Sequence, residues 1–353
     1  MRIFAIATLC VFAATPLLAA DGPKPTGQSI VPAGAKLELL FTRTADFEWG
    51  LTEGPAVAPD GIIYFSDIAL GTDKGMILRF DPKTNKTTVF SFASGKTNGL
   101  IFDSAGNLLA CEGSDYGGRR VSRWNIKSGE STTAADRYQG KRFNAPNDLC
   151  LDRKGRIYFT DPRYLGEEPR ELKHRAVYRI DKDGTVIEIT HDVAKPNGIA
   201  ISPDGGTLYV ADHDNGTDNI LNPGPKPVKK GPMKIYAFPL GLDGKIAGKR
   251  KTLVDFGDED GCDGMTVDEQ GNVYLTVRSA RRPGVKVIDP EGKEVAFIPT
   301  GPPNQAGAES PAGLPSNVEF GIGEEAQVLY VTVDKSLYRI PLKVKGYHVQ
   351  YAK

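Results

Sequence analysis

With 353 residues, 40% hydrophobic and 25% charged, the chain has the composition of an ordinary globular protein with material for a sizeable core. Lys+Arg and Asp+Glu both number 44, so the formal net charge is zero, and the absence of any basic run argues against a nucleic-acid partner. Forty glycines and 25 prolines call for many tight turns, which favours an all-β fold over a helical one.

In chain order, Arg2 precedes an apolar run from Ile3 to Ala20 that closes on small residues. This is the pattern of a secretory signal peptide over residues 1–20, cleaved after Ala19 or Ala20, and it predicts a secreted or periplasmic protein. The run is near the lower limit for a membrane span. Cys10 follows Ala7, Thr8 and Leu9, a poor lipobox, and no later segment is apolar enough to cross a membrane. The mature chain therefore has no expected membrane attachment. Cys111, Cys150 and Cys262 remain, an odd number with no CxxC or Cys/His cluster. They read as buried small hydrophobes rather than as a zinc site or a disulfide framework.

Six segments then share one phase: EGPAVAPDGIIYFSD from Glu53, NGLIFDSAGNLLACE from Asn98, NDLCLDRKGRIYFTD from Asn147, NGIAISPDGGTLYVAD from Asn197, DGMTVDEQGNVYLTV from Asp263 and NVEFGIGEEAQVLYVTV from Asn317. Each opens on a polar residue, runs through a short apolar strand, turns, and returns through a strand rich in Ile, Tyr, Phe and Val. In the first five a glycine stands eight positions after the start. Third strands follow, such as MILRFD from Met76 and AVYRID from Ala176, and TTVFSF from Thr87 suggests a fourth. Four strands per repeat, six times, predict a six-bladed β-propeller. A stacked solenoid would leave exposed end repeats, whereas a ring closes on itself. The last repeat lacks its own fourth strand, and KLELLFTR from Lys36 is an orphan strand. Pairing the two closes the ring and hides a sheet edge. The expected organisation is one propeller domain over residues 21–353, ordered from about residue 30.

The first strand of a blade lines the central channel, so residues at one repeat phase meet at one mouth. Glu53, Asn98, Asn147, Asn197, Asp263 and Asn317 all carry a side-chain oxygen and should ring that mouth. Such a ring suits a hard divalent cation, Ca²⁺ first, with Mg²⁺, Mn²⁺ or Zn²⁺ as alternatives. Asn-Gly and Asp-Gly pairs also form turns, so each residue alone reads as a turn device; six in phase do not. The second strands end in Asp67, Glu112, Asp161 and Asp212, expected near the same mouth as acceptors for loop N–H groups or as supports for the inner ring. Two long segments, from Pro162 and from His213, are expected to wall a pocket on this face.

The segments LTEGPAVAPDG, RFNAPNDLCLDRKGRIYFTDPRY, KPNGIAISPDG and GCDGMTVDEQGNVY resemble the gluconolactonase, senescence-marker-protein and luciferin-regenerating-enzyme family, in order and over essentially the whole mature chain. The resemblance implies a six-bladed propeller with one divalent cation held by Glu53, Asn147, Asn197 and Asp263. It implies hydrolysis of a sugar lactone or related ester by metal polarisation of the carbonyl and activation of water, with Asp263 as the candidate general base. Asn98, Arg142 and His213 are candidate substrate contacts, although Arg142 stands further from the third-blade motif than its family counterpart. Asn317 reads as a turn residue outside the family's ligand set. No GxSxG elbow occurs, and four histidines are too few for an arylesterase-type site with two cations. The partner implied is a small lactone or ester, with the protein a monomer or weak dimer. The competing reading is a non-catalytic secreted propeller that binds a carbohydrate or other ligand, with a structural metal.

Overall fold

Each of the six hairpins in the sequence becomes the inner half of a four-stranded antiparallel sheet in a computed structural model that describes residues 23–43, 50–224, 228–301 and 313–352. The proposed signal peptide lies outside the described residues. The inner strands are Gly50–Val57, Thr97–Phe102, Leu149–Leu151, Pro196–Ile201, Cys262–Val267 and Pro315–Phe320. Five sheets pair in sequence order from inner to outer strand and the sixth takes its outer strand from the N-terminal segment, which makes the fold a six-bladed β-propeller. The glycine eight positions into the repeat closes the inner hairpin in left-handed geometry in the first five blades, for example Gly61 at φ +88° and Gly106 at φ +79°. A side chain there would be strained.

The ring closes as the orphan strand predicts. Glu38–Thr42 pairs antiparallel with Ser336–Pro341, Glu38 opposite Arg339 and Thr42 opposite Ser336. The junction is held further by the Ser316 hydroxyl, which donates to the Thr52 carbonyl over 2.6 Å. Order begins earlier than residue 30. Thr26 N–H donates to the Phe297 carbonyl, and Ile30 and Val31 are buried in the apolar cluster between the fifth and sixth blades.

The core is divided. Six apolar clusters lie at the six interfaces between neighbouring blades, because each sheet buries both faces against its neighbours. Cys111, Cys150 and Cys262 are free thiols inside these clusters. The C-terminal segment then crosses the end of the channel opposite the residue ring. Tyr347, Val349 and Tyr351 pack against four of the clusters, and the Tyr351 hydroxyl donates to the Val57 carbonyl over 2.9 Å.

Candidate functional site at the channel mouth

In five of the six inner strands the pairing slips at the ring position: between Glu53 and Ala56, Thr97 and Leu100, Pro196 and Ile199, Cys262 and Met265, and Pro315 and Asn317. In the third blade the strand begins only at Leu149, two residues past Asn147. A β-bulge bends its strand and re-aims the side chain there. The repeat places the polar residue at the channel; the bulge turns it inward.

The glycines that follow ring residues allow close approach of neighbouring blades, and Gly54 is also left-handed, at φ +46°. A Cβ on Gly54 would strike the Asn98 carbonyl, one on Gly99 would strike Asp148, one on Gly198 the Asp263 carbonyl, and one on Gly264 the side chain of Asn317. Gly99, Gly198 and Gly264 have no left-handed φ. The ring is therefore drawn tight blade against blade. Asn317 is not a turn residue. It lies within Pro315–Phe320, and its amide donates to Asp148 over 3.5 Å.

Glu53, Asn147, Asn197 and Asp263 are all buried at this mouth. The Glu53 carboxylate accepts only the Gly54 N–H, over 3.1 Å, among the described residues. Burial pushes its pKa well up, and the charges of Asp263 and Asp148 push it further. Asp148, one residue after Asn147, is raised to about 7, chiefly by burial. It was not singled out from sequence, since it occupies the position held by glycine in four other blades. Three carboxylates thus share one desolvated region. The nearest cation is Arg278, also missed from sequence, whose Nη1 lies 3.4 Å from Asp263 Oδ2. The Asn147 side-chain amide makes no hydrogen bond among the described residues.

This donor set is hard and oxygen-rich, and its excess negative charge fits a divalent cation of the calcium type. No three of His, Cys, Asp and Glu among the described residues come together in metal-holding geometry, and the candidate set counts only two carboxylates, Glu53 and Asp263.

The candidate substrate contacts divide. Asn98 and Asn147 line a small cleft with Lys96, Ser114, Tyr164 and Leu165. His213 is buried beside it, with Nδ1 3.0 Å from the Cys262 carbonyl. A carbonyl only accepts, so Nδ1 carries the proton. Burial lowers the His213 pKa, so the ring is neutral and Nε2 is left as an acceptor. Arg142 is engaged elsewhere: its Nη2 donates to the Gly118 carbonyl over 2.6 Å, and its backbone N–H bonds Glu171. Arg142 belongs to a small hairpin between the second and third blades, and none of its hydrogen bonds reaches a ring residue.

The second acidic ring splits by role. Asp161 accepts the N–H groups of Asn144 and Ala145, just before Asn147. Asp212 accepts those of Ala194 and Lys195, just before Asn197. Both shape the loops that deliver ring amides. Asp67 and Glu112 instead pair with Arg43 and Arg120, at 2.7 and 2.9 Å.

The two long segments meet over this mouth. Ile220 N–H donates to the Tyr164 carbonyl over 2.9 Å, and Arg175 pairs with Asp218 at 2.6 Å.

A family described as the SMP-30/Gluconolactonase/LRE-like region matches residues 51–223 and 229–335. The gluconolactonase of Zymomonas mobilis is 27% identical, with 91% of this chain and 85% of that protein aligned. The pentonolactonase of Haloferax volcanii is 26% identical over 83% of this chain and 85% of that one. A gluconolactonase structure from Xanthomonas campestris superimposes with a TM-score of 0.71 at 28% identity, covering 91% of this chain and 94% of that chain. The matched segments begin and end inside the propeller and include all four candidate ligand positions, and the chain belongs to the SMP-30/gluconolactonase/LRE-like family.

Proposed function

We propose that the protein hydrolyses a small lactone, in the manner of a gluconolactonase, with a divalent cation, calcium first, held by side-chain oxygens of Glu53, Asn147, Asn197 and Asp263. The observation that carries this reading is the convergence of these four buried oxygen-bearing side chains from four blades on one mouth, beside an open cleft. Family membership and the lactonase relatives support the reaction class. When bound, such a cation would stabilise the negative charge that develops on the carbonyl oxygen.

The remaining work falls to the chain. Asp263 accepts a proton from the attacking water as the water oxygen bonds to the carbonyl carbon. The ring C–O bond then breaks, and the departing oxygen takes up the proton, giving a hydroxy acid. The Arg278 contact at 3.4 Å engages one oxygen of Asp263, and proton acceptance is assigned to the other. Asn98, which lines the cleft, and His213, whose Nε2 is left as an acceptor, are the candidate partners for hydroxyls of a polyol substrate. The open cleft favours catalysis over a scaffold role for the metal.

The deciding experiment is metal analysis of the purified protein, followed by a panel of aldono-lactones with and without chelator. Turnover should fall on chelation and return with calcium; full activity in metal-free protein would overturn the proposal. The N-terminal leader pattern supports a secreted or periplasmic setting, and the single ring of six blades supports one propeller domain for the mature chain.

A further inference from the structure

The Asn197 amide has two chemically opposite ends, and only one of them suits a cation. Its nitrogen donates to the Tyr164 hydroxyl over 3.1 Å. That hydroxyl in turn reaches the backbone carbonyl of His213 over 2.9 Å. A carbonyl oxygen only accepts, so the single phenolic proton must go there. The phenol is then left with lone pairs alone for Asn197, and only the –NH2 end of the amide satisfies them. The amide oxygen is forced to the other side.

Without this constraint the local field would favour the opposite orientation. Glu53, Asp148 and Asp263 bring three buried carboxyl groups, all hydrogen-bond acceptors, to the mouth. A free amide would present its –NH2 to these carboxylates and close the site to a cation. Tyr164 is itself fixed. Lys195 Nζ sits 4.0 Å from its ring centroid and bonds Asn215 Oδ1 over 2.5 Å, and the Tyr164 backbone carbonyl holds Ile220. Asn147 has no comparable partner among the described residues.

We propose that Tyr164 is a positioning residue that locks the Asn197 amide with its oxygen available to a cation. The inference rests on the cation site proposed above. It assigns a role to a residue outside the repeat phase, on the long segment after the third blade's second strand.

The test is calcium titration of the chelator-treated full-length protein by calorimetry, in a double-mutant cycle of Tyr164→Phe and Asn197→Asp. Tyr164→Phe keeps the ring over Lys195 and the backbone bond to Ile220. Loss of its hydroxyl should weaken calcium binding by about 10- to 100-fold, the usual cost of losing an outer partner of a ligand. In the Asn197→Asp background both side-chain ends are oxygen and orientation no longer matters, so Tyr164→Phe should then change affinity by no more than about twofold. Equal weakening in both backgrounds would mark a merely structural role and overturn the proposal, as would unchanged affinity in the single variant. Failure of the unaltered protein to bind calcium, magnesium or manganese would instead overturn the cation site. Should Tyr164→Phe fail to fold, an atomic-resolution structure of the calcium-loaded protein decides: Asn197 nitrogen facing the ion refutes the lock, and oxygen supports it.

Discussion

Asn317 and Asp148 meet across the channel, the amide nitrogen 3.5 Å from a carboxylate oxygen, although they belong to opposite blades, the sixth and the third. Two short side chains span the axis, so the channel beneath the mouth is narrow. The contact also gives the buried Asp148 a side-chain partner beside the backbone N–H groups of Leu149, at 2.9 Å, and Ile199.

This tightness predicts a coupled pair of substitutions. Gly264→Ala would drive its new methyl into the Asn317 side chain. Overpacking of this kind costs about 1–3 kcal/mol. Asn317→Ala removes all three atoms that the methyl would meet, but leaves Asp148 short of a donor, at about 1–3 kcal/mol. The double variant should be more stable than the sum of the single losses. Strict additivity in denaturant midpoints would show that the ring yields elsewhere.

Asp263 is both candidate ligand and candidate base. Asp263→Ala should reduce lactone turnover by at least about 10²- to 10⁴-fold. Turnover that persists undiminished while metal analysis still finds the ion bound would rule out the proposed role.

The acidic groups set a pH dependence of stability. Burial raises Asp161 to about 7 and Asp67 to about 6 from an unfolded value near 3.8, and raises Asp212 as well. Between those values the folded protein holds protons that the unfolded chain has released. Their contribution to stability is present below about pH 4 and is lost as pH rises through about 6 to 7. In chelator, the melting temperature contributed by these groups should decline across that window. A rise of melting temperature from pH 4 to 7 in single Asp161→Asn and Asp67→Asn comparisons, relative to the unaltered protein, is the outcome expected; identical slopes would refute the assignment.

The C-terminal segment should act as a structural staple. Deleting residues 346–353 removes the Tyr351 bond to Val57 and uncovers apolar surface at four blade interfaces. Two tyrosines and a valine, each partly buried, together contribute about 3–6 kcal/mol. Urea unfolding of the truncated protein measures this, and an unchanged midpoint would show that the segment merely rests on the ring.

Much of this was legible in the sequence because a propeller repeats its physics. The strand-turn-strand pattern recurs with a glycine in a left-handed turn, so one blade read correctly reads the others. Equal phase then means equal height in the channel, which is the ground on which Glu53, Asn147, Asn197 and Asp263 are expected at one mouth. The orphan strand from Lys36 found its place by the same reasoning, since an open ring leaves an unpaired edge.

What only the tertiary structure decided lies off the repeat phase. Asp148 sits where other blades carry glycine, and its importance comes from Asn317 on the far side of the channel. Arg278 reaches Asp263 from the end of a neighbouring strand, and Arg142, near the motif in sequence, is turned away to the Gly118 carbonyl. Tyr164 bears on Asn197 because two long segments fold over one mouth. Local patterning determines where a side chain starts along its strand. Which partner it meets depends on bulges, loop paths and blade closure, and those are settled only when the whole ring packs.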